Sequence, residues 1–291
     1  MKRVPVRTLG KIVRDLILLP FRLLISGGGA LIYFPRRYSD IPEYSRWMEA
    51  VERIDYRSRH RNQTAYIDVE PGAVPERIWL LFGGNGALAL DWLPVISFAP
   101  ETADGFVLMD YPGYGFSEGC PSPSSIRDSI DDLVRTLISR FDLSEAEFCS
   151  RLGVVGHSLG AAIAMDTAAR YGAKRVILVS PFTTMKSLAA MIVGSLPSRL
   201  LRHHYDNIAS IAKWRADRGD DAHVFIFHGL EDELIPLSMA EELADRFPDC
   251  VTLQVVEGGD HNGILLKIRD TLLSMIFSPT LTSTLTRTQK D

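Results

Sequence analysis

Apolar residues recur along this chain in two rhythms: short, near-continuous runs, and longer stretches whose apolar positions fall three and four residues apart. The first rhythm predicts strands near 64–70, 77–82, 105–109, 152–156, 175–180, 223–228 and 251–256. The second predicts helices near 87–98, 124–141, 159–171, 237–247 and 263–277. Strands that alternate with helices pair in parallel, and right-handed crossovers bring their carboxyl ends to one edge. The expected architecture is therefore an α/β chain, a mainly parallel twisted sheet with helices on both faces and no internal repeat. A Thr- and Ser-rich tail over 278–291 is expected to be disordered.

At the predicted carboxyl edge one segment concentrates chemistry. The apolar run Leu152-Gly153-Val154-Val155 passes into Gly156-His157-Ser158-Leu159-Gly160, and an alanine-rich helix follows through Ala161, Ala162, Ala164, Ala168 and Ala169. A serine hydroxyl is a poor nucleophile at neutral pH, so it must stand exposed on a sharp turn near a base and near amides that stabilise an oxyanion. Small residues at 156 and 160 allow strand and helix to cross closely there. The bare Gly-x-Ser-x-Gly string is weak in a chain with 22 glycines; strand before and helix after give it weight.

A base and an orienting acid should follow on later loops. Behind the buried strand His223–His228, the loop Gly229-Leu230-Glu231-Asp232-Glu233-Leu234-Ile235-Pro236 offers Asp232, with Glu231, Glu233 and Asp260 as rivals. Asp232 is preferred because its short side chain sits in mid-loop before an Ile-Pro stop. After the last strand, Glu257-Gly258-Gly259-Asp260-His261-Asn262 presents His261 on a glycine-rich turn. In this reading His261 takes the Ser158 proton and returns it to the leaving group, while Asp232 fixes the imidazole tautomer. His157 reads as turn packing and His228 as a strand end. His60, His203, His204 and His223 show no metal-ligand spacing.

An oxyanion site needs two amides. The strand-like Arg77–Phe82 runs into Gly83-Gly84-Asn85-Gly86, so the backbone N–H groups of Asn85 and Leu159 are the expected donors. The alternative is a plain glycine turn. A phosphate loop is disfavoured because no Gly-Lys-Ser/Thr follows.

Taken in order, Gly83–Gly86, Asp110-Tyr111-Pro112-Gly113-Tyr114-Gly115-Phe116-Ser117-Glu118-Gly119, Gly156–Gly160, Ser180-Pro181-Phe182-Thr183, His228-Gly229 with Asp232 and Pro236, and Gly258–Asn262 resemble the α/β-hydrolase fold over roughly residues 64–277. More narrowly they resemble its membrane-associated serine hydrolases, among them acyl-thioesterases, lysophospholipases and monoacylglycerol lipases. The resemblance implies cleavage of a carboxylic ester or thioester of a lipid or acylated molecule through an acyl-enzyme, with no metal or organic cofactor. Serine aminopeptidase-like amide hydrolysis and a catalytically silent binding module are the alternatives. Two departures stand out: Gly83-Gly84 replaces the common His-Gly, which alters how that loop is pinned, and Pro112 stands where Arg or Trp is common.

Composition adds bounds. With 291 residues, 46% hydrophobic, the chain can bury one large core, and three scattered cysteines form neither a disulfide framework nor a metal site. A net charge of −4 argues against nucleic acid as a partner. That charge is uneven: residues 1–37 carry +7, leaving −11 on the rest. Within them Leu16–Phe34 is a 19-residue apolar stretch, near the length of a membrane span but interrupted by Pro20, Arg22 and Gly27–Gly29. Membrane association through an N-terminal anchor or interfacial helix is the expectation, on an unspecified side. Secretion after signal cleavage near the triple glycine is the main alternative, and packing on a soluble domain the other. The expected organisation is a membrane-associating segment over 1–37, a hydrolase-like domain over 38–277 with a short apolar lid at about 185–222, and the tail.

Overall fold

A computed structural model describes residues 29–38, 44–99, 103–194, 198, 202–218 and 223–278. Eight strands form one sheet in the order β1-β2-β4-β3-β5-β6-β7-β8. They are β1 (Glu52–Ser58), β2 (Arg61–Asp68), β3 (Arg77–Phe82), β4 (Asp104–Met109), β5 (Leu152–His157), β6 (Arg175–Val179), β7 (Val224–Gly229) and β8 (Val251–Val256). β1 and β2 pair antiparallel, β2 pairs antiparallel with β4, and every pairing from β4 through β3, β5, β6 and β7 to β8 is parallel. This is the α/β-hydrolase fold that the motif order implies.

Burial follows strand position. β4, β5 and β7 are buried at every residue, as parallel strands covered on both faces must be. β1 buries only alternate residues, Ile54, Tyr56 and Ser58, because one of its faces meets water. Its charged residues Glu52, Arg53, Asp55 and Arg57 hide it from a search for apolar runs. The turn joining it to β2 is Arg59-His60, both at positive φ (47° and 65°), where glycine or asparagine would have signalled a hairpin.

The helix Leu159–Tyr171 matches its expected bounds and ends on Gly172 at φ 63°. Pro123–Arg140 begins with Ser122 capping the Ser125 amide and packs on β1, where Tyr56 and Ser129 hydroxyls pair at 2.8 Å. The stretch expected as a helix over 87–98 is instead a 3-10 turn, Ala89–Trp92, followed by the short helix Leu93–Ile96. Pro94 lacks an amide and fits only a first turn, so the ladder restarts there. The closing helix is likewise divided into Ile264–Lys267 and Arg269–Phe277. The short helix Glu145–Arg151, with its Ser144/Glu147 capping box, is not among the predicted helices.

Between β6 and β7 the helices Met185–Val193 and Asn207–Arg218 are described, with 195–197, 199–201 and 219–222 outside the described residues. Asn207–Arg218 packs against Leu159–Tyr171; Ile211 and Trp214 are fully buried, and the Trp214 indole donates to Ala173 O at 3.1 Å. Met191 and Ile192, on Met185–Val193, are exposed. No helix among the described residues is long and apolar enough to cross a membrane. Residues 1–28, which hold most of the Leu16–Phe34 stretch, and the tail after Ser278 lie outside the described residues.

In the sheet centre Gly153 lies under the fully buried Trp79 ring, and a Cβ there would stand 2.6 Å from Cε3 and Cζ3. Gly153→Ala must shift either the indole or β5. A cost of about 1–3 kcal/mol is expected, read as a Tm several degrees lower with activity per folded molecule retained.

Candidate active site

Each chemistry-bearing residue sits just past the carboxyl end of a parallel strand: Asn85 after β3, Ser158 after β5, Asp232 after β7 and His261 after β8. Ser158 adopts φ 58°, ψ −119°, a region that residues with a Cβ rarely occupy. Two close backbone crossings enforce it. A Cβ on Gly156 would stand 2.1 Å from Gly160 O, and one on Gly160 would stand 2.0 Å from Phe82 O. The Ser158 amide donates to Val179 O at 2.9 Å, tying the turn to β6.

The structure brings Ser158, His261 and Asp232 together, although 103 residues separate the first two. His261 Nε2 lies 3.0 Å from Ser158 Oγ, and His261 Nδ1 lies 2.8 Å from Asp232 Oδ2. With Nδ1 protonated toward the carboxylate, Nε2 accepts from the serine hydroxyl. Asp232 Oδ1 accepts the amides of Leu234 at 3.0 Å and Ile235 at 2.8 Å, so both carboxylate oxygens are engaged. Burial pushes this acid up; the His261 hydrogen bond, the Ile235 amide and the His261 charge outweigh it and hold Asp232 down at about 2. The rivals fall away from this geometry: Asp260 accepts the amides of its own turn, Asn262 at 3.0 Å and Gly263 at 2.8 Å. Glu231 and Glu233 are not buried. The loops bearing Asp232 and His261 touch through backbone, since a Cβ on Gly229 would lie 2.0 Å from Gly259 O.

His157, expected as turn packing, and His228, expected as a strand end, both lie in this cluster. His157 Nε2–H donates to His261 O at 2.9 Å, and the two rings stand 4.9 Å apart. Burial, then the charge of His261, lowers His157 to about 4, so it serves as a neutral donor. His228 Nε2–H donates to Ile235 O at 2.9 Å and lies 3.6 Å from Asp232 Oδ2; burial lowers it too. The acceptor of His157 lies 104 residues away, which nothing local reveals, whereas that of His228 is the loop following its own strand.

The loop Gly83–Gly86 passes over the serine, for a Cβ on Gly84 would lie 3.5 Å from Ser158 Cβ. Ala87 N–H donates to Gly84 O at 3.2 Å, which turns the Asn85 N–H of the same peptide the opposite way. Among the described residues no acceptor takes that N–H. Leu159 is the first residue of its helix, where amides lack intrahelical partners. The Tyr111 hydroxyl donates to Gly83 O at 2.7 Å and the Tyr114 hydroxyl to Asn85 O at 2.5 Å. These phenols, quoted in sequence only as part of a motif, pin the loop in which glycine replaces histidine. Their own turn is held by Asp110, whose Oδ1 accepts the Tyr38 hydroxyl at 3.0 Å and the Ala89 amide at 2.9 Å; burial pushes this acid up to about 7.

A cavity of about 990 Å³ lies elsewhere, lined by Glu49, Glu52, Asp68, Glu70 and Phe106 among others and by none of the residues above. Among the described residues no cluster of His, Cys, Asp and Glu could hold a metal ion.

Comparison with known proteins agrees with the fold. A family model described as "Alpha/beta hydrolase family" matches residues 79–246. An "Uncharacterized protein" of Mycobacterium tuberculosis is 31% identical over 157 residues, 54% of this chain and 52% of its own, so the chain spans about half the length of that relative. Human "Alpha/beta hydrolase domain-containing protein 17C" is 30% identical over 227 residues, 77% of this chain and 65% of its own. Among solved structures, an esterase of Pyrococcus furiosus superposes with a TM-score of 0.61 at 16% identity, covering 84% of this chain and 95% of that one.

Proton uptake at His157 gives a stability test. The folded chain keeps this ring neutral down to about pH 4, whereas an unfolded histidine takes a proton near 6.5. Stability linked to it is thus full above 6.5 and lost as pH falls toward 4. His157→Gln, which keeps a donor, should show a shallower loss over that window in urea denaturation, and an unchanged slope would contradict the linkage.

Proposed function

The chain belongs to the alpha/beta hydrolase family, and from that premise we propose that it is a serine hydrolase cleaving a carboxylic ester or thioester of a lipid or acylated molecule. The observation that carries this reading is the unbroken hydrogen-bond path Asp232–His261–Ser158 ending on a serine at positive φ. Ser158 Oγ attacks the acyl carbon as its proton passes to His261 Nε2. The amides of Asn85 and Leu159 receive the oxyanion. Collapse of the tetrahedral intermediate breaks the bond to the leaving alcohol or thiol, which takes the proton from His261. A water molecule, deprotonated by the same imidazole, then releases the acid and restores the serine. Asp232 stays ionised throughout, bonded to Nδ1–H and two amides.

Exposed apolar side chains support an apolar substrate. Phe34 lies against the oxyanion loop, Leu230 and Leu234 flank Asp232, and Met191 and Ile192 stand on the first helix after β6; all five side chains are exposed. Elsewhere, exposed Phe98 and Phe116 lie under the guanidinium groups of Arg269 and Arg53. The same reading attaches the protein to a membrane through the segment 1–37, where basic residues flank the apolar stretch Leu16–Phe34.

A fluorophosphonate should label the parent at Ser158 and should not label Ser158→Ala. Ser158→Ala and His261→Ala should each abolish ester turnover in folded protein, and Asp232→Asn should slow it by about 10⁴-fold, as in the serine protease precedent. Full rates in any of these would reject the corresponding role. A chain lacking residues 1–28 should stay in the supernatant when phospholipid vesicles are sedimented, while the full chain pellets; co-sedimentation of both would remove the membrane assignment.

A further inference from the structure

Residues 33–37 run from the apolar amino-terminal stretch across the outside of the Gly83–Gly86 loop, and the contacts are to backbone. Phe34 N–H donates to Asn85 O at 2.9 Å and lies 3.0 Å from the Tyr114 hydroxyl oxygen, while that hydroxyl donates to the same Asn85 carbonyl at 2.5 Å. Arg36 Nη1 reaches Gly86 O at 3.2 Å. The other side of the strap is sewn to the turn that carries Tyr114: Gly115 N–H donates to Arg36 O at 2.9 Å, and Arg37 Nη1 donates to Gly115 O at 2.8 Å. Tyr33 extends the attachment to Tyr205, their hydroxyls 2.9 Å apart.

Asn85 is thereby fixed on both flanking peptides. Its preceding peptide is held through Gly84 O by Ala87, and its following peptide through Asn85 O by Tyr114 and Phe34. Tyr114 is fully buried, and burial raises its phenol above the ordinary value, so the hydroxyl keeps the proton it donates. We propose that Tyr114, clamped beneath the strap of residues 33–37, is a positioning residue that aims the Asn85 amide at the oxyanion. The phenol, fully buried, and the strap backbone at Phe34 both act on the Asn85 amide through one peptide. Because an amide a fraction of an ångström out of line binds the planar ester nearly as well but the tetrahedral oxyanion more weakly, loosening the clamp lowers kcat and leaves KM in place. The proposal rests on the hydrolase reading above.

The test uses the full chain, a short soluble p-nitrophenyl ester, and an alkyl trifluoromethyl ketone, which adds to the serine as an oxyanion-bearing adduct. Tyr114→Phe should lower kcat about 10-fold or more, below the loss for an oxyanion donor removed outright, with KM within about twofold. Affinity for the ketone and the rate of fluorophosphonate labelling should fall by a similar factor. A folded Tyr114→Phe with kcat within about twofold of the parent, or with the loss confined to KM, overturns the proposal. If Tyr114→Phe does not fold, the half-exposed Arg36 decides: Arg36→Met should lower kcat about threefold at constant KM, and an unchanged kcat overturns the clamp. A parent that fluorophosphonate fails to label would sink the hydrolase reading itself, whereas a parent and Tyr114→Phe labelled equally fast would reject the clamp alone.

Discussion

Everything at the site depends on three places where backbone meets backbone with no room for a side chain: Gly156 against Gly160, Gly160 against Phe82, and Gly229 against Gly259. The first two press the start of the helix Leu159–Tyr171 onto strands β5 and β3, and the chain between them can turn only by placing Ser158 at positive φ. Such a conformation costs roughly 1–3 kcal/mol and persists where its surroundings over-determine it. Here those surroundings are a fully buried strand and a hydrogen bond from the Ser158 amide to β6. The third contact joins the acid loop to the histidine loop, so the hydrogen bonds among the three side chains are set by the sheet.

Around that frame the charges are arranged asymmetrically. Asp232 is held low by His261 and by backbone amides and stays an anion, while His157 is held low by burial and stays neutral. His261 thus has a fixed negative partner at Nδ1 and an uncharged ring beside it. His157 also fixes the His261 backbone through its carbonyl, and His228 does the same for the acid loop at Ile235. Each of these buried rings gives its N–H to a main-chain oxygen: His157 joins the serine turn to the histidine loop, and His228 closes the acid loop back onto the end of β7.

Much of this was legible in sequence, for a physical reason. Central strands are buried on both faces and run apolar through their middles, so β3 to β7 announce themselves, and a serine elbow needs small residues at fixed offsets. The strand β1 was not legible, because an edge strand with one wet face can carry Glu52, Arg53, Asp55 and Arg57, and its Arg59-His60 turn lacks a glycine. Asp232 could be preferred over its acidic neighbours but not singled out, since the choice rests on which carboxylate faces a histidine 29 residues away. The tasks of Tyr111 and Tyr114 were invisible for the same cause: a phenol's acceptor is a carbonyl far along the chain. The strap of residues 33–37 read as the end of an apolar stretch, and only coordinates show its backbone bonded to the oxyanion loop.

The segment between β6 and β7 supplies none of the four residues that meet over the sheet edge. Asn207–Arg218 is rooted in the core through Trp214, whereas Met185–Val193 leaves Met191 and Ile192 uncovered. The triad and the exposed apolar pair Met191 and Ile192 therefore stand on separate pieces of polypeptide. Related chains could exchange this insert, lengthening it or trading its apolar residues for polar ones, and inherit new tastes without renegotiating the machinery underneath.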